Sequence, residues 1–502
     1  MSNIRRQSII SSLVIYLGFG IGLLNIYLFT KQGLFEESQF GLYNAFIAIA
    51  TLMMAFSGLG MPTYIYKFFP YYKSHLSGRK NDMAGISLAV GIAGFLFIIL
   101  AGYLLKDLVV QKYITNAPDI VHYYYWIFPL GFGLLIFTLL EAWSWQLHLS
   151  VLTNFLKEAG WRLFTTILIF LYSGGLISFD LFIKLFSFSY PLIAFLLLVY
   201  LLWTKQIHFT FRISKVTRRF AGSILKLCSF VYAGLVIFNI SLVFDTLLIS
   251  SVLEEALTQL AVYSVAQNIA SMIQAPQRGI ISASMIHLAT AWKEKNLGLI
   301  ARVYQRSAIN QLLFAAGFYS LVVLNLQDAV VTFQLSGTYL SAFYVVVFLG
   351  LAKVVDMGTG VNSQIITTST YWRFELFSGI ILLSVMLPLS YILTKKWGIE
   401  GTALAQLVSI GIYNTVRVVF LWKKFRLQPF SSATLTSLVL AGLLFAATWF
   451  LFRDLHGWTG LFVRSFFFCL TYFAGAVYLK LSPDILPVLQ QMMARLGMKK
   501  KD

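Results

Sequence analysis

Residues 86–105 form an unbroken run of twenty residues without one charged side chain. A helix needs roughly 20 such residues to cross the hydrocarbon core of a bilayer. Inside that core every backbone polar group must be satisfied within the protein, so a run of this kind is expected to fold as a transmembrane helix. Residues 380–393 and 435–452 have the same character, as does the shorter run 192–203. Charged residues make up 11% of the 502-residue chain, against about 25% in soluble domains. The chain is therefore read as an all-α polytopic membrane protein with no substantial soluble domain.

Apolar windows separated by short polar connections predict fourteen helices, at 9–30, 40–60, 84–105, 123–146, 151–174, 178–203, 227–252, 257–290, 305–326, 339–362, 375–394, 398–422, 434–452 and 458–480. The longest connections are 67–83, 106–121 and 205–226. The stretch 9–30 is too long for the apolar region of a cleavable signal and is expected to be the first helix. The two cysteines, Cys228 and Cys469, lie near membrane segments and point to no disulfide framework, metal site or cofactor.

Charge sets the expected orientation. Arg5 and Arg6 precede the first helix, and alternate connections carry Lys67, Lys73, Arg79 and Lys80, then Lys205, Arg212, Lys215, Arg218, Arg219 and Lys226, then Lys293, Lys295, Arg302 and Arg306, then Lys423, Lys424 and Arg426. Lys499, Lys500 and Lys501 close the chain. The opposite connections hold only Lys31, Lys106, Lys112, Lys395, Lys396 and Arg453. The positive-inside rule then places both termini in the cytoplasm, as an even helix count requires. The net charge of +19 follows mostly from this asymmetry, and nucleic acid is not implied. Residues 211–226 intersperse Phe211, Ile213, Val216, Phe220 and Ile224 among their cations. They read either as an amphipathic helix on anionic headgroups or as a solvated basic loop.

Faint internal similarity divides the chain. Phe40-Gly41-Leu42-Tyr43-Asn44-Ala45 is echoed by Leu260-Ala261-Val262-Tyr263-Ser264-Val265, 220 positions later. At the same offset Asn25 meets Asp245. Gly131 meets Gly350 at 219, and Gly175-Leu176-Ile177 meets Gly398-Ile399-Glu400 at 223. Similar matches in one order predict a parallel repeat of two six-helix bundles, 1–204 and 227–426. Between them lies a cytoplasmic amphipathic connector, 205–226, and after them helices 13 and 14 with a basic tail, 427–502.

These residues carry a resemblance. The chain resembles the polysaccharide transporters, or lipid-linked oligosaccharide flippases, of the multidrug/oligosaccharidyl-lipid/polysaccharide exporter superfamily. The resemblance rests on Phe40-Gly41-Leu42-Tyr43 and Ser57-Gly58-Leu59-Gly60 in the first half. In the second it rests on Asn239, Asp245, Tyr263-Ser264-Val265-Ala266, Pro276 and Gly398-Ile399-Glu400-Gly401-Thr402-Ala403. It implies two bundles alternating between inward and outward openings around a central cavity. It also implies an undecaprenyl-pyrophosphate-linked oligosaccharide as cargo, a polysaccharide or O-antigen repeat unit. The implied setting is a bacterial inner membrane, with polysaccharide polymerase and glycosyltransferases as partners beside the membrane lipids.

Ionisable residues at membrane depth mark functional sites by default, because burying each costs about 2.5–3.5 kcal/mol on insertion scales. Arg278 follows Ala275-Pro276-Gln277 within helix 8, where the proline is expected to kink the helix. Its guanidinium suits a pyrophosphate. Lys353 and Asp356 share a face of helix 10 and read as a neutralising pair or as a second phosphate contact beside a cation or proton site. Asp245 in helix 7 is an ion-coupling candidate or a partner for Arg278. Arg417 in helix 12 is a third substrate-binding candidate or a side chain snorkelling to headgroups. Glu158 and Arg162 read as a structural i, i+4 pair, and Glu141 has no evident role. The aromatic runs at 123–126 and 143–145 are expected in interfacial belts.

Two rival classes remain. A multidrug or toxin exporter of the same superfamily shares the fold and exchanges cations. Its pocket should lean acidic, whereas Arg278 and Lys353 favour an anionic cargo. A membrane glycosyltransferase or polymerase needs a catalytic loop, and Glu36 with Glu37 is the nearest candidate. Walker, His-Glu-x-x-His and Cys-x-x-Cys motifs and Asp-x-Asp pairs are absent, so the chain is read as a non-enzyme.

Overall fold

The computed structural model describes residues 2–77, 80–210 and 212–484. Arg79, Phe211 and the tail lysines Lys499, Lys500 and Lys501 lie outside the described residues. The described residues are mostly helical, with no β-strand among them. Among the described residues, eleven helices are long and apolar enough to cross a membrane. The expected fourteen differ from these at three places. The expected 151–174 is divided by a π-helical turn, Phe155–Gly160, between Ser150–Asn154 and Trp161–Ser173. The expected 257–290 is broken at 274–276. The expected 375–394 and 398–422 run together as Arg373–Phe425 across a kink at Trp397 and Gly398.

Contacts divide the chain into two compact units, Met1–Ala261 and Val262–Asp502. The first contains α1 (Ser2–Thr30), α2 (Glu37–Ser57), α3 (Met61–His75), α4 (Met83–Leu104), α5 (Ile127–Gln146), α6 (Trp161–Ser173), α7 (Ser189–Trp203) and α8 (Lys215–Val252). Helix α9 (Ala256–Ile273) straddles the boundary. The second unit continues with α10 (Gln277–Lys293), α11 (Leu297–Thr332), α12 (Ala342–Gly358), α13 (Asn362–Thr368), α14 (Arg373–Phe425), α15 (Ser432–Phe452) and α16 (Gly457–Tyr478).

Helix α3 lies largely in a stretch the sequence reading assigned to a loop. Tyr64, Ile65, Phe68, Phe69 and Tyr72 are buried at spacings that line one face of a helix. They join the first unit's core with Leu135, Leu139, Trp143, Leu197 and Cys228. The turn entering α3 needs a left-handed residue, supplied by Gly60 at φ +75°. A Cβ there would meet the Cys228 carbonyl oxygen at 2.9 Å, so α8 packs directly on this turn. Gly41 serves a similar end, since a Cβ would sit 1.9 Å from the Leu257 oxygen. The motif glycines are thus close-approach positions.

Helix α8 begins at Lys215, with Ser214 capping the Thr217 amide. The basic segment 215–226 is therefore continuous with the seventh membrane span. Buried Asp82 takes the Ser214 amide and the Thr217 hydroxyl, both at 2.7 Å. The chain continues through Thr217 to Tyr72 at 2.6 Å and from Tyr72 to Tyr64 at 2.7 Å. This buried relay ties the start of α8 to α3 and α4.

In the second unit α12, α14 and α11 form the packed centre, with Leu312, Ala315, Val354 and Met357 fully or nearly buried. Helices α15 and α16 attach to α11. Tyr472 donates to the Leu313 oxygen at 3.0 Å, and Asn325 to Ser465 at 3.2 Å. Buried Arg464 pairs with Asp328 and donates to the Leu324 oxygen. Outward faces carry Leu96, Phe97, Leu443, Phe450 and Phe462, all exposed, which suits contact with lipid. The expected aromatic belts are only half outward. Tyr125 and Trp145 are exposed, while Tyr123, Tyr124 and Trp143 turn into the core.

Candidate functional site

The break between α9 and α10 organises a polar cluster in the second unit. Pro276 precedes α10 and interrupts the helix after Ile273, because its ring has no amide hydrogen to donate. Two carboxamides flank the break. Gln274 Nε2 donates to Asp356 Oδ2 at 2.9 Å and Gln277 Nε2 to the same oxygen at 3.2 Å. From α14, Asn414 Nδ2 donates to Asp356 Oδ1 at 3.1 Å. Both carboxylate oxygens thus accept from neutral donors on two neighbouring helices.

The cluster extends beyond Asp356. The Asn414 Oδ1 accepts from the Thr359 hydroxyl and from Asn362 Nδ2, both at 2.9 Å, and Asn362 also donates to Thr359 at 3.0 Å. Thr359, Asn362 and Asn414 are buried. Gly360, at φ +65°, makes the turn that presents Asn362. A Cβ there would meet the Ser307 hydroxyl at 2.8 Å, so α11 closes over the turn. The result is a fixed group of oxygens and amides around one carboxylate. Such a group can hold a proton or a hard cation, which prefers oxygen ligands.

Arg278 is the second residue of α10, adjacent to Gln277. It is exposed and, among the described residues, forms no ion pair. Lys353 lies one helical turn before Asp356 on α12 and is half-buried. Arg278, Lys353 and Asp356 are therefore carried on the two elements that meet at the break. Arg417, on α14, is placed differently. It is buried at 4% exposure, pairs with Glu375, donates to the Ser378 hydroxyl at 3.3 Å and lies 3.8 Å from the Tyr413 ring centre. The sequence reading had not assigned Glu375 to it. Asp245 is buried on α8, in the first unit.

Two further ion pairs bear on the expectations. Arg162 bonds Glu158 at 2.7 Å, as the spacing indicated. Glu141, unassigned from sequence, meets Lys157 at 3.1 Å. The two are 16 residues apart, beyond any local spacing rule. The carboxamides Gln274, Gln277, Asn362 and Asn414 were also missed, since uncharged residues give no signal at membrane depth as sharp as an ionised one. Gln311, fully buried on α11, has an amide with no hydrogen-bond partner among the described residues. It too was invisible to a search for charge.

No protein-family model and no curated protein matches this chain. Solved structures do. The chain superposes on a lipid II flippase MurJ in an inward closed conformation with a TM-score of 0.73 at 16% identity, covering 94% of this chain and 99% of that one. An inward-facing multidrug resistance MATE family transporter of the MOP superfamily gives 0.64 at 15% identity, over 83% and 97%. A MATE structure in complex with MaL6 gives 0.56 at 15% identity, over 84% and 95%. The chain has the polytopic membrane-transporter fold that the MurJ flippase and the MATE transporters share.

Proposed function

We propose that this protein moves an undecaprenyl-pyrophosphate-linked oligosaccharide from the cytoplasmic to the external leaflet by alternating access. The observation that carries the reading is Arg278, exposed at a helix break and forming no ion pair among the described residues, in a chain with the fold of a lipid II flippase. An exposed guanidinium that forms no ion pair among the described residues suits the bidentate geometry of a pyrophosphate. Lys353 supplies a second cation. Arg417, buried against Glu375, lies one helical turn after Asn414 of the Asp356 cluster.

Asp356 is the coupling element in this reading, with Asp245 as a second acid. Its carboxylate is held by carboxamides rather than cancelled by them, so a cation or proton that binds there changes the charge beside Arg278. No catalytic residue and no cofactor is needed. The setting is the inner membrane of a bacterium with both termini cytoplasmic, and glycosyltransferases and a polymerase act before and after translocation.

A multidrug exporter is the second reading, and the carboxylate cluster around Asp356 is what favours it. The test is reconstitution of the full chain in proteoliposomes. A fluorescent undecaprenyl-pyrophosphate oligosaccharide should become accessible in the opposite leaflet faster than in protein-free vesicles. Failure of that exchange, together with ion-dependent extrusion of a lipophilic cationic dye, would replace the flippase reading with the exporter.

A further inference from the structure

The relay that anchors α8 also builds a cavity in the first unit, remote in sequence from the Asp356 cluster. Its volume is about 1110 Å³, and its walls come from the end of α3, the segment before α8 and the first turns of α8. Lys80, Arg212, Lys215 and Arg219 line it, with Tyr71 and Phe220 as apolar wall. All four cations are exposed and, among the described residues, none forms an ion pair. His75 also lines the cavity, but its Nδ1 is engaged by Ser74 and the Tyr71 carbonyl. Asp82, the carboxylate that fixes this wall, is fully buried and turned to Ser214 and Thr217. Four like charges therefore converge on one open space without compensation.

Such convergence raises a local positive potential that attracts an anion to the space. The site is also amphipathic. Phe220 packs against Phe68 at 5.7 Å and Tyr71 at 5.3 Å between ring centres, giving an aromatic floor beneath the cations. Helix α8 runs 38 residues from Lys215, longer than the roughly 20 a bilayer core requires, so its basic first turns extend past the apolar span on the headgroup side. A ligand that is anionic at one end and apolar at the other, and already concentrated at that depth, is an acidic phospholipid. We propose that this cavity holds the phosphate headgroup of an acidic phospholipid, and that the bound lipid braces the start of α8 against α3. The site shares no residue with the proposed cargo site and does not depend on the flippase reading.

The test is native mass spectrometry of the full chain in mild detergent, titrated with phosphatidylglycerol or phosphatidylcholine. The intact protein should retain a phosphatidylglycerol adduct in preference to phosphatidylcholine. Basic residues at an anionic surface contribute about 1 kcal/mol each, so each cation removed should weaken retention about five-fold. The variant Arg212→Gln with Lys215→Gln should show that loss twice over, while Arg212→Lys with Lys215→Arg keeps most of the binding. Lys395→Gln with Lys396→Gln, outside the cavity, should leave retention unchanged. Equal retention by the neutralised and intact proteins would overturn the site. Displacement by inorganic phosphate as effectively as by phosphatidylglycerol would overturn the lipid and assign the cavity to a soluble phosphate compound.

Discussion

Replacing Arg417 with alanine separates a structural cation from a cargo-binding one. The Arg417 side chain is 5% exposed and Glu375 is 28% exposed. The substitution removes that ion pair, the bond to Ser378 and the stacking on Tyr413, and leaves Glu375 with the Ser363 hydroxyl at 2.8 Å. Breaking a buried pair from one side costs about 3–5 kcal/mol. Glu375 is partly exposed, and solvent relieves some of its isolation, so about 3 kcal/mol is expected here. Thermal unfolding in detergent, read by loss of the monodisperse peak on size-exclusion chromatography, should fall by several degrees. Arg417→Met combined with Glu375→Gln should recover most of the loss, because neither charge is then stranded. An unchanged melting point with abolished translocation would refute this reasoning and make Arg417 a direct cargo contact.

Three other outcomes follow from the account. Asp356→Asn keeps the size of the side chain but removes its charge and turns one accepting oxygen into a donor facing a carboxamide N–H. It should cost about 1–3 kcal/mol of stability while abolishing any dependence of transport on a cation or proton gradient; retained gradient dependence would move the coupling site elsewhere. Arg464→Leu leaves partly exposed Asp328 with His456 at 3.1 Å at the junction of α11 and α16. It should cost about 1.5–3 kcal/mol in the same melting assay, and no measurable change would show that other contacts hold the last two helices. For orientation, Lys215→Cys and Lys396→Cys would be made singly in a Cys228→Ala, Cys469→Ala background. Only position 396 should react with an impermeant thiol reagent in intact cells, and labelling at 215 would reverse the topology.

The membrane fold was legible because lipid imposes one requirement on sequence, long uncharged runs, and residues 86–105 or 435–452 meet it without ambiguity. The motif glycines were legible as positions but not as reasons. Gly398 bends the chain at φ +59°, and a Cβ on Gly401 would sit 2.1 Å from the Leu393 oxygen, so this motif is a tight helical hairpin. Helix α3 was missed because Pro62 and Pro70 and several charges mask its periodicity. Proline is tolerated near a helix start, and a charged rim suits a helix with one buried face. The site was half legible. Arg278, Lys353 and Asp356 stood out by cost, whereas Gln274, Gln277, Asn362 and Asn414 carry no charge. Their role appears only when α9, α12 and α14 are folded together. Glu375 was passed over because, with Arg373, it reads as a helix-end charge until its contact with buried Arg417 is seen.

The central claim is that Arg278 grips the pyrophosphate of the cargo, and the direct measurement is leaflet exchange of a fluorescent undecaprenyl-pyrophosphate oligosaccharide by reconstituted Arg278→Ala and Arg278→Lys proteins. Arg278 is exposed with no ion pair, so both variants should match the parent in membrane insertion and melting point. Exchange should be lost in Arg278→Ala, by about ten-fold or more if one charge-assisted contact of about 1.5–3 kcal/mol is removed. Arg278→Lys should retain part of it, keeping the charge without the paired donors. Full exchange by Arg278→Ala, in a protein of normal stability, would contradict the account.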